Sequence, residues 1–358
     1  MKRSTPLMEQ LEVGLRRLMQ AAVIGGLVLA AVLPLHADAQ EKVLNLYSAR
    51  HYQTDEALYA DFTKQTGIRI NRIELGDEQL IQRLRTEGAA SPADVVLLVD
   101  AARLWRAQID GLFQPVQSKI LSDRIPSALR SNDGTWFGFS SRARVIVYDK
   151  AKVKPEDVDT YEELADPKNK GRVCTRSGSH PYMLSLIGSL VERLGEAKTE
   201  EWARGMVANM ARPPRGGDTD QIKGVAAGEC GAALTNTYYW VRLVRSSDPK
   251  DKEVVSKVGF IWPNQATTGT HMNISGGGVA KNAPHRDNAI AFLEYLTSPK
   301  AQAYFADGNN EWPVVKGVHN DNAALAALGT PKFENVPIST IGKNQIAAQR
   351  ILDRVGYR

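Results

Sequence analysis

The 358-residue chain has few of the features that mark cysteine-based metal sites, nucleic-acid binding or disorder. It contains only two cysteines, Cys174 and Cys230, and no C-x-x-C pair, which excludes zinc ribbons and thioredoxin-like redox sites. Lys and Arg number 45 against 40 Asp and Glu, but no block of five or six like charges occurs, so nucleic acid is not a predicted partner. Hydrophobic residues make up 43% of the sequence, which is typical of a folded protein.

The sequence also lacks the motifs that would predict nucleotide binding or hydrolysis. No G-x-x-x-x-G-K-[ST] occurs, and the glycines at 276–278 do not match G-x-G-x-x-G. Neither a G-x-S-x-G elbow nor an H-E-x-x-H helix is found. We therefore do not expect an enzyme.

The first forty residues have the composition of a secretory signal peptide. Four basic residues precede an uncharged, mostly apolar run over residues 18–35, and Ala37-Asp38-Ala39 then forms a small-x-small site. This order predicts export by the Sec or Tat route, cleavage after Ala39 and a periplasmic location. An uncleaved anchor is the alternative, because 18 uncharged residues approach the length needed to cross a bilayer.

After residue 40, strand and helix patterns alternate along the chain, first over residues 43–109 and again over residues 172–236. The apolar run at 94–99 is typical of a strand in a parallel sheet that is covered on both faces. A long strand over 137–148 is predicted to leave the first group of elements, and the glycines at 276–278 predict a close approach of two backbones. The sequence therefore predicts an α/β protein with two lobes and a ligand cleft between them. The first lobe is predicted over residues 40–139 and about 276–315, and the second over residues 140–275 and about 316–358.

Four of the eleven tyrosines follow predicted strands. Tyr52 follows the first strand, Tyr182 follows the strand that contains Cys174, and Tyr238 and Tyr239 follow a strand that ends at residue 236. Ligands of open α/β sheets bind beyond the carboxyl ends of the strands, so we expect these loops to face one ligand. A phenol has a pKa near 10, and several phenols ionise together only beside a strong cation. Hard Fe(III) suits phenolate better than the divalent metals do, and the tyrosines therefore point to a ferric site.

The charge of such a site calls for basic neighbours. Four phenolates around Fe(III) would leave a net charge of about −1, which a nearby cation would offset. The candidate arginines beside the predicted strand ends are Arg50, Arg142, Arg176 and Arg242.

Several segments of the sequence resemble the periplasmic ferric-iron-binding proteins of ABC transporters, and the Tyr-Tyr pair is the most specific of them. The tyrosine-rich branch, which is similar to the ferric-binding proteins of cyanobacteria, is the best match, and the resemblance covers nearly all of the chain after residue 39. The segments are Ala49-Arg50-His51-Tyr52, residues 80–88, Ser91-Pro92-Ala93-Asp94, residues 217–222, Asn236-Thr237-Tyr238-Tyr239 and Asn273-Ile274-Ser275-Gly276.

The resemblance implies a type II periplasmic-binding-protein fold, with two α/β lobes joined by hinge strands. It implies a monomer that binds Fe(III) without catalysis and delivers it to an inner-membrane ABC permease with its ATPase. Arg142 matches a position from which an arginine can approach the metal. The implied ligands are Tyr52, Tyr182, Tyr238 and Tyr239, with His51 as a possible fifth and with the presence of a synergistic anion left open.

Two alternatives to this interpretation remain at this stage. Other branches of the family use a histidine and an acidic residue with the tyrosine pair, and Asp77 and Glu78 lie where such an acid would be. The same fold could also bind an organic or anionic solute, such as a polyamine or a thiamine-like molecule. Polyamine pockets use carboxylates, which the loops around Tyr52 and Tyr238 lack.

Other residues receive structural interpretations. Asp218-Thr219-Asp220 is predicted to cap a helix, with ligand contact as the alternative. The histidines at 180, 271, 285 and 319 show no metal-binding spacing and are interpreted as structural. Cys174 and Cys230 each precede a proposed ligand tyrosine by eight residues, and a disulfide between them is possible, although spacing cannot supply the Cα separation that it needs.

Overall fold

The computed structural model describes residues 42–50 and 54–358. Short 3₁₀ turns lie between the longer strands and helices of this part of the chain, at Gly88–Ala90, Ser127–Leu129, Pro155–Asp157, Glu163–Ala165 and Pro167–Asn169. The strands of this part of the chain are β1 Val43–Ser48, β2 Arg69–Glu74, β3 Val95–Val99, β4 Phe137–Asp149, β5 Val173–Cys174, β6 Ala232–Asn236, β7 Val258–Ile261, β8 Met272–Val279 and β9 Trp312–Pro313. Its α-helices are α1 Asp55–Thr66, α2 Asp77–Glu87, α3 Ala101–Ile109, α4 Lys119–Arg124, α5 Pro181–Leu194, α6 Glu196–Asn209, α7 Asp218–Ala226, α8 Thr237–Arg245, α9 Pro249–Lys257, α10 Arg286–Leu296, α11 Pro299–Asn309, α12 Ala323–Ala326, α13 Ile338–Lys343 and α14 Gln345–Val355.

The first elements show why the sequence pattern predicted them. All five residues of β3 are buried, as expected for an apolar strand in the middle of a sheet. Helix α1 ends at Gly67, which adopts a left-handed conformation with φ 73° and donates its N–H to the carbonyl oxygen of Thr63. Glycine adopts this conformation without the steric penalty of a side chain, so it ends the helix where the sequence predicted.

The strands form one sheet in the order β2-β1-β3-β8-β4-β6-β5, and β7 and β9 also pair with β4. Strands β1, β2 and β3 are parallel, as are β5 and β6, whereas β8 runs antiparallel to both β3 and β4. The sheet is therefore mixed and not wholly parallel. The 13-residue strand β4 pairs with β8 along its first half and with β6 along its second half, so it connects the two ends of the sheet.

The buried apolar residues divide between the two halves of the sheet. One large cluster includes Leu46, Leu97 and Phe137, and a second includes Ile146 and Leu186. A smaller third cluster, which includes Val147 and Cys174, lies on the side of β4 opposite to the second. Strand β4 thus contributes side chains to each of these three clusters.

The predicted lobe boundaries remain a prediction. The chain from residue 316 onward was assigned to the second lobe, but Ile338 and Ile341 of α13 pack in the first large cluster. Ile351 of α14 packs in the second cluster. The C-terminal segment therefore contacts both cores.

The glycines at 276–278 lie in β8 between β3 and β4. A side chain at Gly276 would collide with the carbonyl oxygen of Phe137, and one at Gly277 with that of Val96. The predicted close approach of backbones is confirmed. No helix in residues 42–50 and 54–358 combines the length and the apolar character needed to span a membrane. The signal-peptide prediction, with its cleavage after Ala39, lies outside the described residues.

Candidate functional site

Tyr182, Tyr238 and Tyr239 lie in the first turns of two helices, α5 and α8, and not in the loops that the sequence predicted. Pro181 occupies the first position of α5, where its fixed φ favours a helix and its missing N–H costs nothing. Helix α8 starts at Thr237, directly after β6, and leaves no loop between them. The correction places all three phenols at helix N-termini.

The three phenols form one group, which we call the tyrosine cluster. Tyr182 Oη and Tyr238 Oη are 2.8 Å apart and share a hydrogen bond. The rings of Tyr238 and Tyr239 lie with their centroids 4.2 Å apart. Tyr182 and Tyr238 are buried, and Tyr239 is half-buried. The positive ends of the α5 and α8 dipoles favour negative charge at these positions, which lowers the cost of forming phenolates.

Arginines surround the tyrosine cluster. The guanidinium carbons of Arg176 and Arg142 lie 5.0 Å and 5.7 Å from the Tyr182 ring centroid. Arg242, which is exposed, lies 5.4 Å from the centroid of Tyr239. These distances are within the range of cation–π contact, and the same charges would stabilise phenolate. The charge environment therefore matches a group of tyrosines that ionises on binding a cation.

Arg142 is fully buried on β4 beside a buried carboxylate. Its Nη1 donates to Ser275 Oγ at 2.8 Å and lies 4.0 Å from Oε1 of Glu311. Its Nε and Nη2 have no hydrogen-bond partner among the described residues. Burial by itself lowers the pKa of Arg142, but Glu311 and the nearby phenol of Tyr182 outweigh burial and raise the pKa above its ordinary value. Arg142 therefore stays charged.

Arg50 shares this carboxylate. Its Nη1 lies 3.7 Å from Oε2 of Glu311, while its Nε pairs with Asp55 at 2.9 Å. Ser140 Oγ donates to the same Oε2 at 2.5 Å. Glu311 thus lies between Arg50 and Arg142, two of the four arginines that the sequence predicted near the site.

A cavity of about 340 Å³ adjoins Tyr182. Its lining includes Arg50, Asp77 and His180, which gives it both acidic and basic walls. Burial raises the pKa of Asp77 to about 6, against the opposing effect of the backbone N–H of Val99, which donates to its Oδ1 at 2.8 Å. The space and its polar walls fit a small polar ligand or solvent beside the tyrosines.

His180 belongs to the site, although its spacing in the sequence gave no sign of it. Its Nδ1 accepts a hydrogen bond from the backbone N–H of Tyr182 at 3.3 Å, and its ring lies edge-on to the Tyr182 ring at 4.4 Å. Burial and the charge of Arg176 lower the pKa of His180 to about 2, so the ring is neutral and can accept this bond. The signal in the sequence was the position of His180 before Pro181, where a helix cap is expected.

The alternative ligand set, in which Asp77 or Glu78 would bind the metal, has less support from the structure. Asp77 lines the cavity but already accepts a backbone hydrogen bond, and Glu78 pairs with Arg103 at 2.7 Å. No group of three or more His, Cys, Asp or Glu side chains that could hold a metal occurs in the part of the chain that the structure describes. His51 and Tyr52 lie outside that part and follow Arg50 in the sequence.

Two further predictions have structural outcomes. Asp220 accepts a hydrogen bond from the N–H of Gly217 and so caps α7, but Asp218 is buried and binds Arg144 and Arg176. The predicted capping role is therefore wrong for Asp218, because β4 brings Arg144 to it. Cys174 and Cys230 form a disulfide with a Cα–Cα distance of 5.7 Å, a separation that spacing in the sequence could not supply.

Comparisons with known proteins give consistent matches. The sequence profile of the bacterial extracellular solute-binding proteins matches residues 57–330. Iron uptake protein A1 of Synechocystis sp. is 51% identical over 319 residues, 89% of this chain and 88% of that protein. The Fe(3+)-binding periplasmic protein of Serratia marcescens is 27% identical over 316 residues, 88% of each chain. The solved structure of a Trichodesmium protein, IdiA or FutA, in complex with iron and citrate superimposes with a TM-score of 0.84 at 53% identity and covers 88% of this chain and 100% of its own.

Proposed function

Because the chain belongs to the bacterial extracellular solute-binding proteins, we propose that it binds Fe(III) in the periplasm and delivers it to an inner-membrane ABC permease with its ATPase. Two relatives that are named for iron uptake and for Fe(3+) binding support this proposal, as does the Trichodesmium protein in complex with iron. The observation that carries it in this chain is the tyrosine cluster at two helix N-termini, with arginines around it. The function is binding and transfer, without catalysis.

The spacing of the phenol oxygens supports a shared cation. Adjacent oxygen ligands at ~2.0 Å from an octahedral metal lie about 2.8 Å apart. The distance between Tyr182 Oη and Tyr238 Oη has this value. Loss of the phenol protons would replace their mutual hydrogen bond with two bonds to the same ion. Fe(III) is hard and highly charged enough to favour this exchange.

The full ligand set that we propose is larger than the tyrosine cluster. Tyr52 would complete a set of four phenolates with Tyr182, Tyr238 and Tyr239, and His51 would be a possible fifth ligand. Arg50, Arg142 and Arg242 would offset the net negative charge of that set. The proposal also includes export of the chain and removal of residues 1–39, and a monomeric carrier.

The test is to add Fe(III) to the exported protein and to record its visible absorption. We expect a broad phenolate-to-iron band at one iron per chain. In the variant Tyr238→Phe/Tyr239→Phe the band should weaken strongly, because two of the four proposed phenolates are gone. Affinity should fall by more than the roughly 10–100-fold that loss of an outer-shell partner costs.

Tyr295→Phe is the matched control. Tyr295 is a buried tyrosine outside the cluster, and its Oη donates to Asp61 at 2.8 Å. This variant should keep the band. A wild-type protein that remains colourless and binds no iron would contradict the proposal and would favour an organic or anionic solute in the same cavity.

A further inference from the structure

Asp100 is a buried acid with an unusual backbone conformation close to the candidate site. It follows β3 and is 0% exposed, with φ 106° and ψ 139°. Few residues other than glycine adopt positive φ outside the left-handed helical region, and such residues concentrate at functional positions. The two other non-glycine residues with positive φ in the described part of the chain, Asn264 and Asn310, have φ near 60°, which asparagine tolerates.

Three donors from different elements converge on the Asp100 carboxylate. Oδ1 accepts from the N–H of Ala102 in α3 at 2.9 Å and from Ser185 Oγ in α5 at 2.5 Å. Oδ2 accepts from Asn273 Nδ2 in β8 at 2.8 Å. The unusual backbone is thus held by bonds to a helix, a strand and a second helix that are far apart in the sequence.

Asp100 lies at the sheet edge from which the Arg50 segment leaves. Strands β1 and β3 are parallel neighbours, so the residues that follow them emerge at the same edge. Arg50 follows β1 there, and the proposed ligands His51 and Tyr52 come next in the sequence. A hydrogen bond to Asp100 therefore attaches its donor to the carboxyl ends of β1 and β3, close to the point where the sequence continues to His51 and Tyr52.

Ser185 connects that edge to the tyrosine cluster. It lies three residues after Tyr182 in α5, and residues with this spacing share one face of a helix. Ser185 is 0% exposed, and its oxygen also accepts from Gln345 Nε2 at 3.4 Å. The bond to Asp100 therefore holds the Tyr182 face of α5 against the end of β3. The predicted lobe division assigns Asp100 to the first lobe and Ser185 to the second.

We propose that Asp100, through its hydrogen bond with Ser185, is a positioning residue that fixes the spacing between the tyrosine cluster and the sheet edge that leads to His51 and Tyr52. This inference rests on the proposed function, since it concerns the ligands of the same iron site. Asp100 does not contact the metal. It holds the first turn of α5, and Tyr182 with it, at a fixed distance from the ends of β1 and β3.

The chain offers a matched control on the same helix. Ser189 lies one turn beyond Ser185, is also 0% exposed, and donates to another buried carboxylate, Oε2 of Glu334, at 2.6 Å. The two serines have the same burial and the same chemistry. They differ in distance from Tyr182 and in the carboxylate that they bind.

The experiment compares Ser185→Ala and Ser189→Ala in the exported protein loaded with Fe(III). Excess EDTA is added, and the iron dissociation rate is measured from the decay of the visible band. For Ser185→Ala we expect dissociation about tenfold faster, the size expected for loss of a hydrogen bond to a charged group, and a weaker band because one phenolate is misplaced. For Ser189→Ala we expect a rate within about twofold of wild type, since Ser189 lies about two helical turns from Tyr182 and binds Glu334 instead of Asp100.

The outcomes separate this inference from the proposed function. A wild-type protein with the band and a Ser185→Ala variant with an unchanged band and rate would overturn the positioning role alone. Equal acceleration in both variants would also overturn it, because the effect would then be general to α5. A wild-type protein without the band would overturn the iron site and the positioning role together. Thermal unfolding of both iron-free variants is measured alongside, and a similar loss of stability in the two excludes misfolding as the cause of a difference in rate.

Discussion

Two arginines on β4 show how differently the same side chain can be used. Arg142 and Arg144 are two residues apart on one strand, on the same face, and each is 1% exposed. Arg144 is tightly paired, with Nη1 at 2.5 Å from Oδ2 of Asp218 and at 3.1 Å from Oδ1 of Asn236. Arg142 has only the hydroxyl of Ser275 at short range, and its carboxylate neighbour is 4.0 Å away.

This difference predicts a structural role for Arg144 and a role at the proposed iron site for Arg142. The charge of Arg144 is balanced by Asp218, a carboxylate that also binds the backbone N–H of residue 236 at the end of β6. That network fixes the position from which α8 begins. Arg142 instead keeps two nitrogens without hydrogen-bond partners in the described chain and lies beside Tyr182. Its charge is available to the phenolates that iron binding would create.

The largest loss of stability should come from breaking the buried ion pair between Arg144 and Asp218. Arg144→Met removes the charge but keeps a long apolar side chain, and it leaves Asp218 buried with only Arg176 as a cationic partner. Removing one member of a buried ion pair typically costs about 3–5 kcal/mol in the free energy of unfolding. We expect a loss in this range, at the lower end because Arg176 remains, measured by urea unfolding of the iron-free protein.

The control for this loss is the double variant Arg144→Met/Asp218→Asn. Removal of both charges should recover part of the stability, since the uncompensated carboxylate causes most of the cost. If Arg144→Met is as stable as wild type, the pair does not hold the start of α8 and the contrast with Arg142 fails.

The next effect concerns Asp77, whose ionisation responds to Arg142. Burial raises the pKa of Asp77 from 3.8 to about 6, while Arg103 and Arg142 oppose the increase. The folded protein therefore gains stability from the neutral acid below about pH 4 and loses it as the pH rises towards 6. A difference of this size corresponds to up to about 3 kcal/mol.

The measurement is the free energy of unfolding at pH 4, 5, 6 and 7 for the wild type and for Asp77→Asn. The difference between them isolates Asp77, and the wild type should lose stability relative to the variant as the pH rises from about 4 to about 6. Without the charge of Arg142 the loss should extend to higher pH. A flat difference would show that Asp77 ionises normally.

The sequence could predict which tyrosines meet but not how they are held. The carboxyl ends of neighbouring strands share one edge, so the order of elements was enough to bring Tyr182 to Tyr238 and Tyr239. The sequence did not predict that these tyrosines lie in the first turns of helices. For Tyr238 and Tyr239 the reason is that α8 starts directly after β6, without a loop. The α/β class and the close approach at Gly276 followed from alternation and composition alone.

The pairing of buried charged side chains could not be predicted from the sequence. Asp218 binds Arg144 because Arg144 pairs with Asn236 in the register of β4 and β6, and register between distant strands is not readable from spacing. Glu311 lies 169 residues after Arg142, and Asp100 lies 85 residues before Ser185. Contacts of this kind depend on tertiary packing, and no local pattern indicates them.

The smallest effect should come from the loosely paired arginine. Arg142→Met removes a charge beside Tyr182 but leaves Glu311 with Arg50 at 3.7 Å, so the loss of stability should be smaller than that in Arg144→Met. The affinity for Fe(III) should fall instead. Outer-shell partners typically contribute about 10–100-fold to metal affinity, and the proposed set of four phenolates would lose a cation that offsets its negative charge.

Competition with a chelator measures this affinity in both variants. Arg142→Met should lose more affinity than stability, and Arg144→Met should lose more stability than affinity, because Arg142 lies beside a proposed ligand, Tyr182, and Arg144 pairs with Asp218. If the two variants changed both quantities in the same proportion, the pairing of Asp218 would not distinguish them. The unused nitrogens of Arg142 would then reflect packing alone, and the net charge of the iron site would have to be balanced by Arg176 and Arg242.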